Sequence, residues 1–206
     1  MTIARGGHHE AILEAASLQF LSLGYTKTTT DDIARACRIS PAHLYNHFRS
    51  KLDLAISVVE REEKAIAAEL KAVLMNDGAV EQVLEAYFLT ELSLRVGKIR
   101  EYPGYPNLLS LVEERRAVVA EGFRLRLLKD LSLYLNKAMG RGELDMVDSF
   151  WLAEMLQLAT YPFRHQSFIV KRNENDMARD ILQVVGLILK GAGKKGPSAG
   201  RAEGQV

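Results

Sequence analysis

Thr29-Thr30-Asp31-Asp32-Ile33-Ala34-Arg35-Ala36-Cys37-Arg38-Ile39-Ser40-Pro41-Ala42-His43-Leu44-Tyr45-Asn46-His47-Phe48 is the stretch from which the rest of the chain is read. Thr29 with Asp32 three residues on has the form of a capping box, and the acidic pair suits a helix N-terminus electrostatically. A short helix from about Thr30 to Cys37 is expected. Ser40-Pro41 is a second start signal, with serine as N-cap and proline in the first turn. It opens another short helix, Pro41 to about His47. About three residues, Arg38-Ile39-Ser40, join the two. This is the layout of a helix-turn-helix, whose second helix enters a DNA major groove N-terminus first. Ile33, Ala36 and Leu44 are expected to face inward, with Ile39 buried in the turn. Pro41, Ala42, His43 and Asn46 then face the duplex. Asparagine pairs bidentately with adenine, histidine exchanges hydrogen bonds with base edges, and Ala42 and Pro41 suit a thymine methyl.

Outward from this segment, helical periodicity dominates. Leu13, Ala16, Phe20 and Leu23 share one face of a preceding helix that Gly24 stops. Ser50-Lys51-Leu52-Asp53 starts a long helix reaching about Met75, and Asn76-Asp77-Gly78 breaks it. Helix is expected again from Ala79 to about Lys98. Tyr102-Pro103-Gly104-Tyr105-Pro106 reads as a loop. Helical patterning from Asn107 to about Met139 has a weak point at Gly122. Val147 to about Val170 is amphipathic, with a kink or break expected at Pro162. A last helix spans about Glu174 to Leu189. The reading is an all-α chain of nine or ten helices. It has an N-terminal three-helix helix-turn-helix head (1–50), a C-terminal helical bundle (51–190) and a glycine-rich tail expected to be disordered (191–206).

Composition sets the bounds. The 206 residues carry a formal net charge of +1, with 48% hydrophobic and 26% charged residues, as a soluble globular protein does. Six Lys/Arg face six Asp/Glu within the first 60 residues, so bulk charge does not announce a nucleic-acid binder. Four of the five histidines do fall there. The single cysteine, Cys37, forbids an internal disulfide and reads as a small buried hydrophobe. No signal-type leader or membrane-length apolar run is present, so a cytoplasmic location is expected. There is no glycine-rich phosphate loop, metal-ligand cluster or nucleophile elbow. No enzyme activity, cofactor or metal is expected. A helix-turn-helix that binds protein instead of DNA is the remaining alternative.

Ile12-Leu13-Glu14-Ala15-Ala16, Phe20, Gly24-Tyr25, Thr28-Thr29, Asp32-Ile33-Ala34, Ile39-Ser40, Leu44-Tyr45-Asn46-His47-Phe48 and Ser50-Lys51 follow one another in the order and spacing of a known signature. Over about residues 8–58 the chain resembles the tetracycline-repressor (TetR/AcrR) family. The resemblance implies a repressor-type transcriptional regulator that binds a near-palindromic double-stranded operator as a homodimer and is released by a small-molecule effector. Tyr45, His47, Lys51 and Thr30 resemble phosphate anchors, which position without reading sequence. One departure is Arg38, where the family usually has glycine. Arginine there needs strain or a changed turn, and brings an extra basic group to the DNA backbone.

The resemblance also implies an effector cavity in the bundle. Tyr87, Phe123, Arg124, Trp151, Met155, Phe163 and His165 are its candidate residues. Arg95 and Gln157 join Arg124 and His165 as possible polar groups. Each aromatic fits plain core packing as well. The last two helices have apolar faces containing Leu152, Leu156, Ile181, Val185 and Ile188. By resemblance these form the dimer interface, although intrachain core would bury them too.

Overall fold

The structure is a computed structural model that describes residues 5–192. Ten helices follow one another: α1 (Arg5–Leu23), α2 (Thr30–Ala36), α3 (Pro41–Tyr45), α4 (Lys51–Val73), α5 (Val80–Glu101), α6 (Tyr105–Arg115), α7 (Ala117–Gly140), α8 (Ser149–Arg164), α9 (Gln166–Ile169) and α10 (Glu174–Ala192). Among the described residues there is no strand.

The starts follow local chemistry. Thr29 accepts from the Asp32 amide, Ser40 from the His43 amide and Ser50 from the Asp53 amide, at 3.1, 3.2 and 3.0 Å. Each such cap contributes about 1 kcal/mol. Gly24, with φ 83°, closes α1 and donates to the Phe20 carbonyl at 2.9 Å. The expected inward faces of the head hold at Leu13, Ala16, Phe20, Ile33 and Leu44, which are buried. They do not hold at Leu23 and Ala36, which are exposed, nor fully at Ile39, which is half-buried. Ala34 takes the inward place on the short α2, since a seven-residue helix buries only about one side chain per turn on its inner side.

Five expected boundaries move. Helix α3 stops at Tyr45, with Asn46 as its cap. The loop at 102–106 is shorter, because Pro106 lies in the first turn of α6, where a missing amide costs nothing. The weak point in 107–139 is Arg116, whose φ of −146° and ψ of 56° separate α6 from α7. Gly122 stays helical on an open face with nothing near its missing side chain. Pro162 leaves α8 unbroken until His165. The carbonyl it deprives of an amide belongs to Leu158, an exposed residue. Of the expected tail, Gly191 and Ala192 are helical, and the remainder lies outside the described residues.

Two hydrophobic clusters organise the packing. The first joins α1, α2 and α3 to the N-terminal half of α4 and to Tyr105, Leu108 and Val112 of α6. The second fills the space among α4, α5, α7, α8 and α10. Helix α4 therefore passes from the head into the bundle, while α6 gives its buried residues to the head cluster. Fully burying Phe20, Ile33 or Leu44 stabilises the head by about 1.5–3 kcal/mol each.

Helix α6 meets α1 at close range. The Gly104 amide donates to the Leu21 carbonyl at 2.8 Å. A Cβ on Gly104 would lie 2.3 Å from the Phe20 carbonyl oxygen, so only glycine fits.

Candidate nucleic-acid interface and effector cavity

The head presents α3 outward. Leu44 and Phe48 are buried against α1 and α4, which leaves Pro41, Ala42, Tyr45 and Asn46 on the exposed side. The Tyr45 hydroxyl meets the Thr30 hydroxyl at 3.2 Å, so two side chains expected to hold phosphates are adjacent across α2 and α3. Lys51, at the start of α4, lies with its ammonium 4.1 Å from the centre of the Tyr25 ring. Partial burial there pushes its pKa below the ordinary lysine value. Thr30 and Lys51 both sit in the first turns of capped helices, where free amides and the helix dipole favour an anion.

Arg38 has φ 56°, the left-handed conformation that the sequence makes costly. The hydrogen bonds show why the chain adopts it. The Ile39 amide donates to the Ala34 carbonyl at 3.0 Å and the Arg38 amide to the Arg35 carbonyl at 3.1 Å. This is a Schellman motif with arginine in the glycine position. It turns the chain into α3 and leaves the guanidinium exposed.

The histidines are placed otherwise than the sequence suggests. His43 is half-buried, its ring edge-on to His8 of α1 at 5.0 Å between centroids, and its Nε2 is buried without a hydrogen-bond partner. His47 is half-buried between His9 and His43, at 6.0 and 5.2 Å. His9 stacks on Phe48 at 4.6 Å. His8 thus packs against α3, whereas His9 stays exposed beside the segment that follows it. Cys37 is half-buried with Sγ donating to the Ala11 carbonyl at 3.5 Å, and burial raises its pKa.

In the bundle a cavity of about 400 Å³ opens among α4, α5, α6, α7 and α8. Of the candidate effector residues, Phe123, Arg124 and His165 line it, together with Arg95 and Gln157. Tyr87, Trp151, Met155 and Phe163 do not. Tyr87 is buried in the core, where its hydroxyl accepts from Gln157 Nε2 at 3.3 Å. Trp151 is 52% exposed. Phe163 packs against the bundle core. Helical spacing marks these rings as recurrent without saying which side of α5 or α8 meets the void.

The cavity floor is an ionic network that sequence reasoning missed. Arg95 donates to both Glu63 oxygens and to Glu91 at 3.3 Å, and Arg164 donates to Glu91 at 2.8 Å. Tyr105 donates to Glu63 at 2.8 Å. Glu63 and Glu91 are 6% and 0% exposed. Burial works to raise the Glu63 pKa, but the Arg95 charge and hydrogen bonds outweigh it and hold the carboxyl below its ordinary range. Burial and the Glu63 charge push the Tyr105 hydroxyl well above its ordinary value, so it remains a donor. A signal for this network exists. Glu91 interrupts the buried series Leu84, Tyr87, Phe88, Leu92, and Glu63 interrupts Val59, Ile66, Leu70. A charge on a buried stripe requires partners.

The expected dimer residues are also relocated. Leu152, Leu156, Ile181 and Val185 are at most 1% exposed within a single chain. They belong to the bundle core and are filled by α5, α7 and each other's helices. Ile188 is half-buried against the same core. The opposite sides of α8 and α10 carry the exposed apolar groups Trp151, Leu158 and Leu187. No helix among the described residues is long and apolar enough to cross a membrane.

Residues 12–58 match the family model for bacterial regulatory proteins of the tetR family. The HTH-type transcriptional regulator TcmR of Streptomyces glaucescens is 27% identical over 117 residues, 56% of this chain and 51% of TcmR. The match therefore spans about half the length of that relative. Among solved structures, a regulator assigned to the TetR family from Mesorhizobium loti MAFF303099 superposes with a TM-score of 0.75 at 19% identity, covering 94% of this chain and all of that one. SmeT, the repressor of the Stenotrophomonas maltophilia multidrug efflux pump SmeDEF, gives 0.66 at 20% identity, covering 91% of each chain. At these identities the structural likeness speaks to fold.

Proposed function

We propose that this TetR-family DNA-binding transcriptional regulator is a homodimeric repressor that leaves a near-palindromic operator when a small molecule fills the bundle cavity. The observation that carries the proposal is the exposed N-terminal half of α3, flanked by the Thr30–Tyr45 hydroxyl pair and by Lys51. Pro41, Ala42 and Asn46 contact bases. Thr30, Tyr45, Lys51 and Arg38 grip phosphates. His47 joins them by a side-chain rotation, and His43 adds base contacts only if it leaves its packing on His8.

Two such heads about 34–36 Å apart match successive major grooves on one face of a duplex. The exposed Trp151 and Leu158 on α8, with half-buried Met155 between them and exposed Leu187 on α10, support pairing of two copies through these helices. They take the place of Leu152, Leu156, Ile181 and Val185, which the core already uses.

Coupling runs through two helices. Helix α4 carries Lys51 at one end and places Val59 and Glu63 on the cavity wall. Helix α6 is held to α1 at Gly104 and places Leu109, Val112 and Glu113 on the same wall. An effector that fits one spacing of these helices better than another shifts the dimer only by that difference in affinity.

Selection of bound fragments from random DNA by the purified chain tests this reading. A two-fold symmetric consensus with steeply salt-dependent binding is expected. Lys51→Ala or Tyr45→Phe should weaken all sequences alike, whereas Asn46→Ala should change preference at defined bases. Sequence-independent binding, or none, would refute the operator assignment.

A further inference from the structure

We propose that a second copy of this chain roofs the bundle cavity, so that the effector site is complete only in the dimer and its occupant touches both copies. The inference rests on the reading of α8 and α10 as the pairing face and of the cavity as the effector site.

The decisive residue is Leu158. It lines the cavity, and it also stands with Trp151 on the exposed face of α8. Tyr161, less than a turn beyond, lines the cavity as well. In the single chain these two side chains are 56% and 51% exposed. A side chain that belongs to a cavity wall and is half open to solvent marks the mouth. The rest of the rim agrees. Ala117, Glu121 and Arg124 of α7 line the cavity and are exposed, whereas Val59 and Glu63 of α4 and Val112 of α6 line it and are buried. The cavity is thus shut behind by α4 and α6 and open on the side of α7 and α8.

Mouth and pairing face overlap at Leu158. Leu158 lies about two helical turns beyond Trp151 and so on the same side of α8. A helix docked there is about 10 Å across, wide enough to cover Leu158 and its neighbour Tyr161 together. A ligand alone would leave the outer sides of both in water, and a partner copy removes them. The overlap ties the cavity to head spacing. A molecule that reaches the mouth presses on the partner as well as on α4 and α6. It therefore selects among relative positions of the two copies, and of their two heads, by its difference in fit.

The test measures access to the mouth and needs no ligand. Cys37, the single cysteine of the chain, is changed to serine, and Tyr161→Cys places a thiol at the mouth. Glu69→Cys, on an exposed part of α4, is the control. Reaction with N-ethylmaleimide is followed across a dilution series of each variant, with its dimer content read by analytical ultracentrifugation. If only the monomer is open, the rate at Tyr161→Cys follows the monomer fraction and should fall about tenfold where about nine chains in ten are paired. The control rate should not change. Trp151 does not line the cavity, so adding Trp151→Glu, which breaks pairing, should restore the fast rate. Dilution alone supplies the comparison where that variant does not fold.

Equal rates at Tyr161→Cys in dimer and monomer overturn the roof and leave the dimer and the cavity standing. Equal protection of Glu69→Cys reports general shielding and also overturns it. A chain that stays monomeric throughout overturns the roof and the pairing face together.

Discussion

Replacing Arg38 by glycine should stabilise the protein while weakening its hold on DNA. Arg38 sits at φ 56° because the Schellman hydrogen bonds from Ile39 and Arg38 to Ala34 and Arg35 demand it. A non-glycine residue in that conformation costs about 1–2 kcal/mol. Glycine removes that cost but gives the unfolded chain about 0.4–1 kcal/mol of additional freedom. The net gain is about 0.5–1 kcal/mol, which for a domain of this size raises Tm by about 1–4 °C. The guanidinium is exposed, so no packing is lost with it. Arg38→Ala separates backbone from charge, since alanine keeps the strained φ and loses the cation. Thermal unfolding should rank glycine above both alanine and wild type. Binding to the selected operator across a salt series should give glycine and alanine the same weakened affinity, with the salt slope reduced by about 1 relative to wild type. A glycine variant no more stable than wild type would refute the strain argument. An unchanged salt slope would refute the phosphate contact.

Gly104→Ala should destabilise the chain by about 1–3 kcal/mol, read as a fall in Tm, because its Cβ meets the Phe20 carbonyl oxygen at 2.3 Å and the α1–α6 contact must open. Glu91→Ala leaves buried Arg164 without a carboxylate partner and Arg95 with Glu63 alone, and should cost about 3–5 kcal/mol by denaturant unfolding, whereas the exposed pair Arg35–Asp32 should be worth under about 1 kcal/mol when Arg35 is changed to Ala. Trp151→Glu with Leu158→Glu should yield folded monomers by light scattering and reduce operator affinity, while Leu152→Glu should unfold the bundle instead. Retention of the dimer in the double variant would exclude that face.

The head was legible in the sequence because its signals are local. Thr29, Ser40 and Ser50 cap helices through atoms three residues away, Gly24 ends a helix by its own backbone freedom, and Arg38 announces strain by standing where glycine is expected. Hydrophobic spacing likewise gave the helices of the bundle, but it states only which side of a helix is apolar. What covers that side is decided by other helices. Leu152 and Ile181 therefore read equally well as interface or core until α5 and α7 took them as core. The same holds for the charges. Only Glu91 and Arg95 stand at helical i,i+4 spacing; Glu63–Arg95 and Glu91–Arg164 are joined across 32 and 73 residues of chain, a distance over which no spacing rule operates. Local hydrogen bonding and helical period fixed the elements from sequence alone. Only the packing of α4, α5, α6, α7 and α8 around one space decided which side chains meet a ligand, because burial and ion pairing depend on neighbours that the linear order does not name.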